Sequence, residues 1–211
     1  MNYSQEQLRD LDRITNLKLI NAITGIKPAN LIGTTSAEGR ANLAIFSSLV
    51  HLGSRPPLLG FVARPRTEEV GHTLRNIETT GEYTINHIRQ EFITKAHYTS
   101  AKFPADHSEF ERCGLTPEYL EGFQAPFVKE STVKMGMRLK EVIPIQWNGT
   151  YFVIGEITQL TFPEAYWVDE DVNLEASGSV GISGLNTYYS LKKEAWHPYA
   201  RVEESPDFTN E

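Results

Sequence analysis

The chain carries a single cysteine, Cys113, so no intrachain disulfide can form and no multi-cysteine zinc or iron-sulfur centre can be built within one chain. A reducing compartment is the expectation, and with it a cytoplasmic protein. Positive charge is also scarce. Twenty Lys and Arg against 27 Asp and Glu leave a net charge of -7, the wrong sign for partners that are held through phosphate backbones or anionic headgroups. No nucleic acid and no membrane are expected as partners. No apolar run approaches the roughly 18 residues of a membrane span. The first residues, Met-Asn-Tyr-Ser-Gln-Glu-Gln, lack the basic-then-apolar order of a signal peptide. The sequon Asn148-Gly149-Thr150 accordingly reads as a turn rather than a glycan site.

Several catalytic signatures are missing as well. The six histidines (His51, His72, His87, His97, His107 and His197) show no spacing that would put two on one helical face toward a metal, so no metal is expected. Cys113 has no histidine beside it in sequence and reads as a small buried hydrophobe. There is no G-x-S-x-G elbow, no Walker A loop and no G-x-G-x-x-G. The faint echo of the last, Gly181-Ile182-Ser183-Gly184-Leu185, has no strand-helix unit behind it and is expected to be a plain turn.

With 211 residues, 40% of them hydrophobic and 22% charged, the chain can bury a sizeable core as one large domain or two small ones. Ser4 with Gln7 forms a capping-box signature ahead of Leu8, Leu11, Ile14, Leu17 and Ile20, which predicts one amphipathic helix over residues 5–23. Two apolar-patterned runs, Leu31–Ser36 and Asn42–Val50, flank Ala37-Glu38-Gly39 as a hairpin. A buried strand over Pro57–Ala63, a helix around His72–Thr79 and a strand over Glu82–Asn86 follow. Residues 89–125 lose strand patterning and are expected to be short helices and loops. Lys134–Trp147 and Tyr151–Leu160 form a long hairpin, joined by Asn148-Gly149 in a type I′ turn. Strands outnumber helices and no strand-helix-strand series occurs. The predicted fold is therefore mainly β with α decoration, a small antiparallel barrel. Residues 1–24 form an N-terminal helical extension, 25–195 the barrel domain and 196–211 an acidic C-terminal tail.

Two segments stand out for chemistry. Asn42-Leu43-Ala44-Ile45-Phe46-Ser47-Ser48 interleaves an amide, small residues and two hydroxyls on a strand. It reads either as a sheet with one wetted face or as a strand whose amide, N–H groups and hydroxyls bond a flat polar ligand lying along it. Arg64 ends a buried strand, and His72-Thr73 opens a helix, which together offer a guanidinium, a hydroxyl and a helix N-terminus suited to a phosphate monoester.

Read in order, these pieces resemble the flavin reductase-like family, the FMN-binding split barrels that include flavin reductases and flavoredoxin. The resemblance covers about residues 25–190. It rests on Lys27-Pro28 through Thr35, Gly39…Asn42 to Ser48, Arg55-Pro56-Pro57-Leu58 and Arg64…His72-Thr73-Leu74-Arg75-Asn76-Ile77. It continues through Gly81 to Asn86, Thr99-Ser100-Ala101…Pro104…Glu109-Phe110, Val128 to Ser131 and Gly149 to Ile157. The resemblance implies a Greek-key split barrel and a homodimer binding FMN near the subunit interface. Asn42, Ala44, Ile45, Phe46, Ser47 and Ser48 would lie along the ring and ribityl chain, with Arg64, His72 and Thr73 near the phosphate. It also implies NAD(P)H-dependent reduction of flavin or another small acceptor.

Two departures qualify what carries over. The link from Pro65 to Gly71 is longer than usual, which leaves Arg66 beside Arg64 as a candidate for the phosphate contact. Many two-component flavin reductases also have Gly-Asp-His at the hairpin, with the His near the nicotinamide, where this chain has Asn148-Gly149-Thr150-Tyr151. An electron-transfer flavoprotein that serves a redox partner protein without oxidising NAD(P)H is thus a second expectation, and a flavin-free barrel scaffold a third.

Overall fold

A computed structural model describes residues 1–67, 71–104 and 107–207. Helices α1 (Gln5–Asp10) and α2 (Arg13–Ile23) precede strands β1 (Asn30–Thr35), β2 (Ala41–Phe46), β3 (Val50–Ser54) and β4 (Pro57–Ala63). Helix α3 (His72–Thr80), strand β5 (Glu82–His87) and helices α4 (Ile93–Tyr98) and α5 (Glu109–Cys113) follow. The long strands β6 (Lys134–Ile145) and β7 (Thr150–Thr161) complete one seven-stranded sheet in the order β2-β1-β5-β6-β7-β4-β3, antiparallel throughout.

That order dictates the shape. Strands β2 and β3 stand at opposite edges of the sheet, yet only Ser47, Ser48 and Leu49 join them. Laid flat, the edges would be six strand spacings apart, about 29 Å. The four residue steps from Phe46 to Val50 reach at most about 14 Å. The sheet must therefore roll until its edges approach, which makes a barrel split between β2 and the β3–β4 pair.

Side-chain alternation gives the rolled sheet a core on each face. Ile32, Phe61, Ile77, Tyr83, Met137 and Val153 pack inside, with α3 contributing Leu74 and Ile77. Leu31, Leu43, Ile88, Phe110 and Val128 pack outside, beneath α4, α5 and the strand Val180–Ser183. Strand β1 is buried at every position because both its faces are covered. The wetted face considered for β2 is not seen: Leu43 and Ile45 join the outer core and Phe46 the inner one. Its polar side chain, Asn42, sits at one end opposite Thr34.

Several local expectations change. The helix over 5–23 is two helices. Ser4 and Gln7 do form the capping box, but Leu11 is extended (ψ 139°), and the Asp12 carboxylate accepts the N–H groups of Ile14 and Thr15 to start a second helix. The second strand of the first hairpin ends at Phe46 rather than Val50, where β3 begins. The β6–β7 connection is a four-residue loop, 146–149, closed by Gly149 N–H on the Ile145 carbonyl, and only Gly149 has positive φ (+71°). The two-residue hairpin with consecutive positive φ lies instead at Asp169 (53°) and Glu170 (61°), between Trp167–Val168 and Asp171–Val172. The turn expected at Gly181–Leu185 is strand through Ser183, and the turn itself spans 184–186, with Gly184 at positive φ. No residue of α1 or α2 is buried. Among the described residues no helix is long and apolar enough to cross a membrane. Residues 208–211 of the expected tail lie outside the described residues.

Candidate functional site

Helix α3 starts at Gly71, whose φ of +90° suits glycine, and no side chain among the described residues caps its first N–H groups. A Cβ at Gly71 would also meet Arg66 at 3.2 Å. Thr73, in the first turn, is buried and accepts a hydrogen bond from Asn42 Nδ2 at 3.3 Å. The same amide nitrogen donates to Thr34 Oγ1 at 3.2 Å, and Asn76 Nδ2 donates to that oxygen at 3.0 Å. This four-residue network ties β1 and β2 to α3. Among the described residues the Thr73 hydroxyl donates to no acceptor.

Positive side chains stand near the helix start. His72 has a pKa below its usual value, first because it is partly buried and then because the charges of Arg75 and Arg40 act on it. Burial is the larger cause, and only the smaller share from Arg75 and Arg40 reports positive charge nearby. The two arginines of the preceding loop separate clearly. Arg66 forms a bidentate pair with Glu78 on α3, with Nη2 2.8 Å from Oε1, and lies 4.7 Å above the Tyr151 ring. Arg64 is exposed and makes no ion pair or hydrogen bond among the described residues. Arg75 Nη1 donates to the Thr67 carbonyl at 2.8 Å. Glu68, Glu69 and Val70 of this link lie outside the described residues.

The predicted residues thus fall into two groups. Asn42 and Thr73 are in direct contact, with His72 beside them. Ala44, Ile45 and Phe46 continue along β2, whereas Ser47 and Ser48 lie past its end. Ser48 turns its hydroxyl to β4, accepting from Val62 N–H at 3.0 Å and donating to Val62 C=O at 3.2 Å. Thr34, Asn76 and Glu109 were not among the sequence candidates. Asn76 had a signal, since it stands three residues after Thr73 and shares its helix face. Cys113 is half-buried, and burial, with help from the Glu109 charge, pushes its thiol pKa up, away from thiolate chemistry. Among the described residues no cluster of three His, Cys, Asp or Glu could hold a metal.

The chain that folds into this rolled, split antiparallel sheet matches one family model, that of the flavin reductase like domain, over residues 26–176. The chain belongs to this family. A provisionally assigned flavin reductase with split barrel domain from Shewanella frigidimarina NCIMB 400 is 47% identical. Its structure superposes with a TM-score of 0.90 over 95% of this chain and 100% of that one. Nitrilotriacetate monooxygenase component B from Bacillus cereus shares the fold at 21% identity, with a TM-score of 0.83 over 93% of this chain and 98% of that one. Flavoredoxin of Desulfovibrio vulgaris (Miyazaki F) does so at 22% identity, with a TM-score of 0.73 over 95% and 98%. Membership of the flavin reductase-like family supports an enzyme of the reductase kind.

Proposed function

We propose that this flavin reductase-like protein binds FMN and reduces a small acceptor at the expense of NAD(P)H. The observation that carries the reading is the start of α3, which no side chain among the described residues caps and where the buried Thr73 hydroxyl accepts from Asn42 and donates to no described acceptor. Arg64, unpaired among the described residues at the end of β4, would supply the guanidinium. A phosphate dianion needs those three things: N–H donors on a helix N-terminus, a hydroxyl and a guanidinium. Arg66 fits a different role, because its guanidinium is occupied by Glu78 and Tyr151. The flat ring and ribityl chain would lie along β2, whose outer edge has no neighbouring strand.

The bound flavin would supply the two-electron chemistry, taking hydride from the nicotinamide and passing it on. This chain's residues bind and orient. Asn42 fixes Thr73 so that its proton faces the phosphate, Ser48 holds the end of the ring-bearing strand against β4, and no side chain has to move a proton for hydride transfer itself. A homodimer is part of the proposal, through the resemblance to flavin-binding split barrels.

The test is anaerobic addition of NADH, then NADPH, to the FMN-loaded protein. Rapid bleaching by either supports the reductase. Bound flavin that can be photoreduced but ignores both nucleotides would favour an electron-transfer protein. One observation favours that second reading: where many two-component flavin reductases have Gly-Asp-His at the hairpin, this chain has Asn148-Gly149-Thr150-Tyr151, with Arg66 laid over the Tyr151 ring.

A further inference from the structure

Strand β2 is an edge strand, and an edge leaves N–H and C=O groups unpaired. One of them is taken. Leu43 N–H donates to the Glu109 carboxylate at 3.0 Å, across 66 positions of sequence, from the first residue of α5. Since Leu43 points outward from the β1–β2 ladder, and ladder groups alternate along an antiparallel strand, Ile45 two residues on presents its N–H to the same side. Asn42 and Ala44 point theirs inward, to β1.

Glu109 thus does the work of a missing strand at one point of the edge and stops there. Its carboxylate is largely buried. That raises its pKa, while the N–H groups of Leu43 and of Glu109 itself pull the other way. Phe110, the next residue, is anchored in the outer core with Leu43, so α5 cannot slide along the strand without breaking that packing.

We propose that Glu109 is a positioning residue for the flavin: by occupying Leu43 N–H it ends the usable edge of β2, so that a ring lying along the strand takes its hydrogen bond from Ile45 onward. This rests on the FMN reading above. Without the stop, a ligand with several acceptor atoms could pair one position nearer α3, with its phosphate driven past Arg64 and Thr73. A second carboxylate oxygen beside the edge also disfavours an anion at Leu43, which keeps the phosphate at α3.

The decisive experiment is residue-resolved amide hydrogen exchange on the wild-type protein with and without FMN, with binding established first by the absorption spectrum. Leu43 should be protected in both states, and Ile45 should gain protection, by about tenfold or more, only with FMN. Leu43 gaining that protection with FMN, or Ile45 gaining none, overturns the assignment. E109Q keeps an acceptor oxygen and should leave the FMN Kd and the bound-flavin band shape within about twofold of wild type, whereas E109A should raise the Kd about tenfold and alter the band shape. E109A indistinguishable from wild type, or E109Q as impaired as E109A, overturns it equally. A wild-type protein that takes up no FMN would instead overturn the function on which the inference rests.

Discussion

Ser48 and Val62 exchange two hydrogen bonds just ahead of the β3–β4 ladder: the serine hydroxyl donates to the valine carbonyl at 3.2 Å and accepts its N–H at 3.0 Å. A side chain here completes what backbone pairing leaves undone, because β3 pairs with β4 only from Val50 onward. The hydroxyl has one proton, and Val62 takes it. Ser48 can therefore only accept from a ligand, and its main effect is to hold the segment after Phe46 in place.

Ser48→Ala should leave the Val62 N–H and C=O without partners and cost about 1–3 kcal/mol. A lower Tm in thermal melting, accompanied by weaker FMN binding, is the expected result. Weaker FMN binding with an unchanged Tm would mean that the hydroxyl serves the ligand and not the barrel.

Arg64→Ala and Arg66→Ala should part company. The first removes an exposed guanidinium that has no partner among the described residues, so FMN affinity should drop about tenfold while riboflavin, which lacks the phosphate, binds as before and the Tm is unchanged. The second breaks the Glu78 pair and the Tyr151 stack at a site about one-third exposed, and should lower stability by roughly 1 kcal/mol. Thr73→Val should likewise weaken FMN and spare riboflavin, but with a modest loss of Tm as well, because its buried oxygen accepts from Asn42. Fluorescence titrations with the two flavins and a melt of each variant make the comparison.

These pairings mark what could be read in the sequence. Hairpins, the buried strand at Pro57–Ala63 and the helix start at His72 were legible because alternation, turn residues and helix periodicity are local signals. The break at Leu11–Asp12 was harder, since an aspartate between two apolar-periodic stretches serves equally as a helix surface residue or as a cap. The edge positions of β2 and β3 were not legible, because strand order depends on contacts far apart along the chain. Glu109 on Leu43 and Ser48 on Val62 are consequences of that order. The candidate strand stands out in sequence through its polar residues, but the partners of Asn42 in the fold, Thr34 and, through that hydroxyl, Asn76, look in sequence like ordinary strand and helix positions.

Stability should fall on acidification partly through His87. Burial holds this ring's pKa at about 4, down from about 6.5, with Nδ1 3.1 Å from the Ser179 hydroxyl. Between those values the unfolded chain binds a proton that the folded chain refuses. The contribution is thus complete above about pH 6.5 and is lost as the pH falls toward 4. In paired Tm-against-pH curves, H87N should be less pH-dependent than wild type over that window, while the carboxylates common to both cancel. Parallel curves would rule out the assignment.

Gly155 lies against the Tyr83 hydroxyl so closely that a Cβ would stand 2.1 Å from the oxygen and 2.9 Å from the ring carbon bearing it. Tyr83 is fully buried and edge-on to Phe61, so it has no room to yield. Gly155→Ala should cost about 1–3 kcal/mol or more, and adding Tyr83→Phe should recover part of it. Denaturant unfolding of the two variants would measure both. No recovery in the double variant would show that the backbone at 155, and not the hydroxyl, sets the requirement.

The central claim is that the uncapped start of α3 and the edge of β2 together hold FMN. The most direct measurement is the visible absorption spectrum of the protein after incubation with FMN and removal of free flavin by desalting. Flavin bands that stay with wild-type protein and are lost from the Arg64→Ala, Thr73→Val double variant are expected. A protein that emerges colourless would contradict the account, and so would a double variant that retains the flavin as fully as wild type.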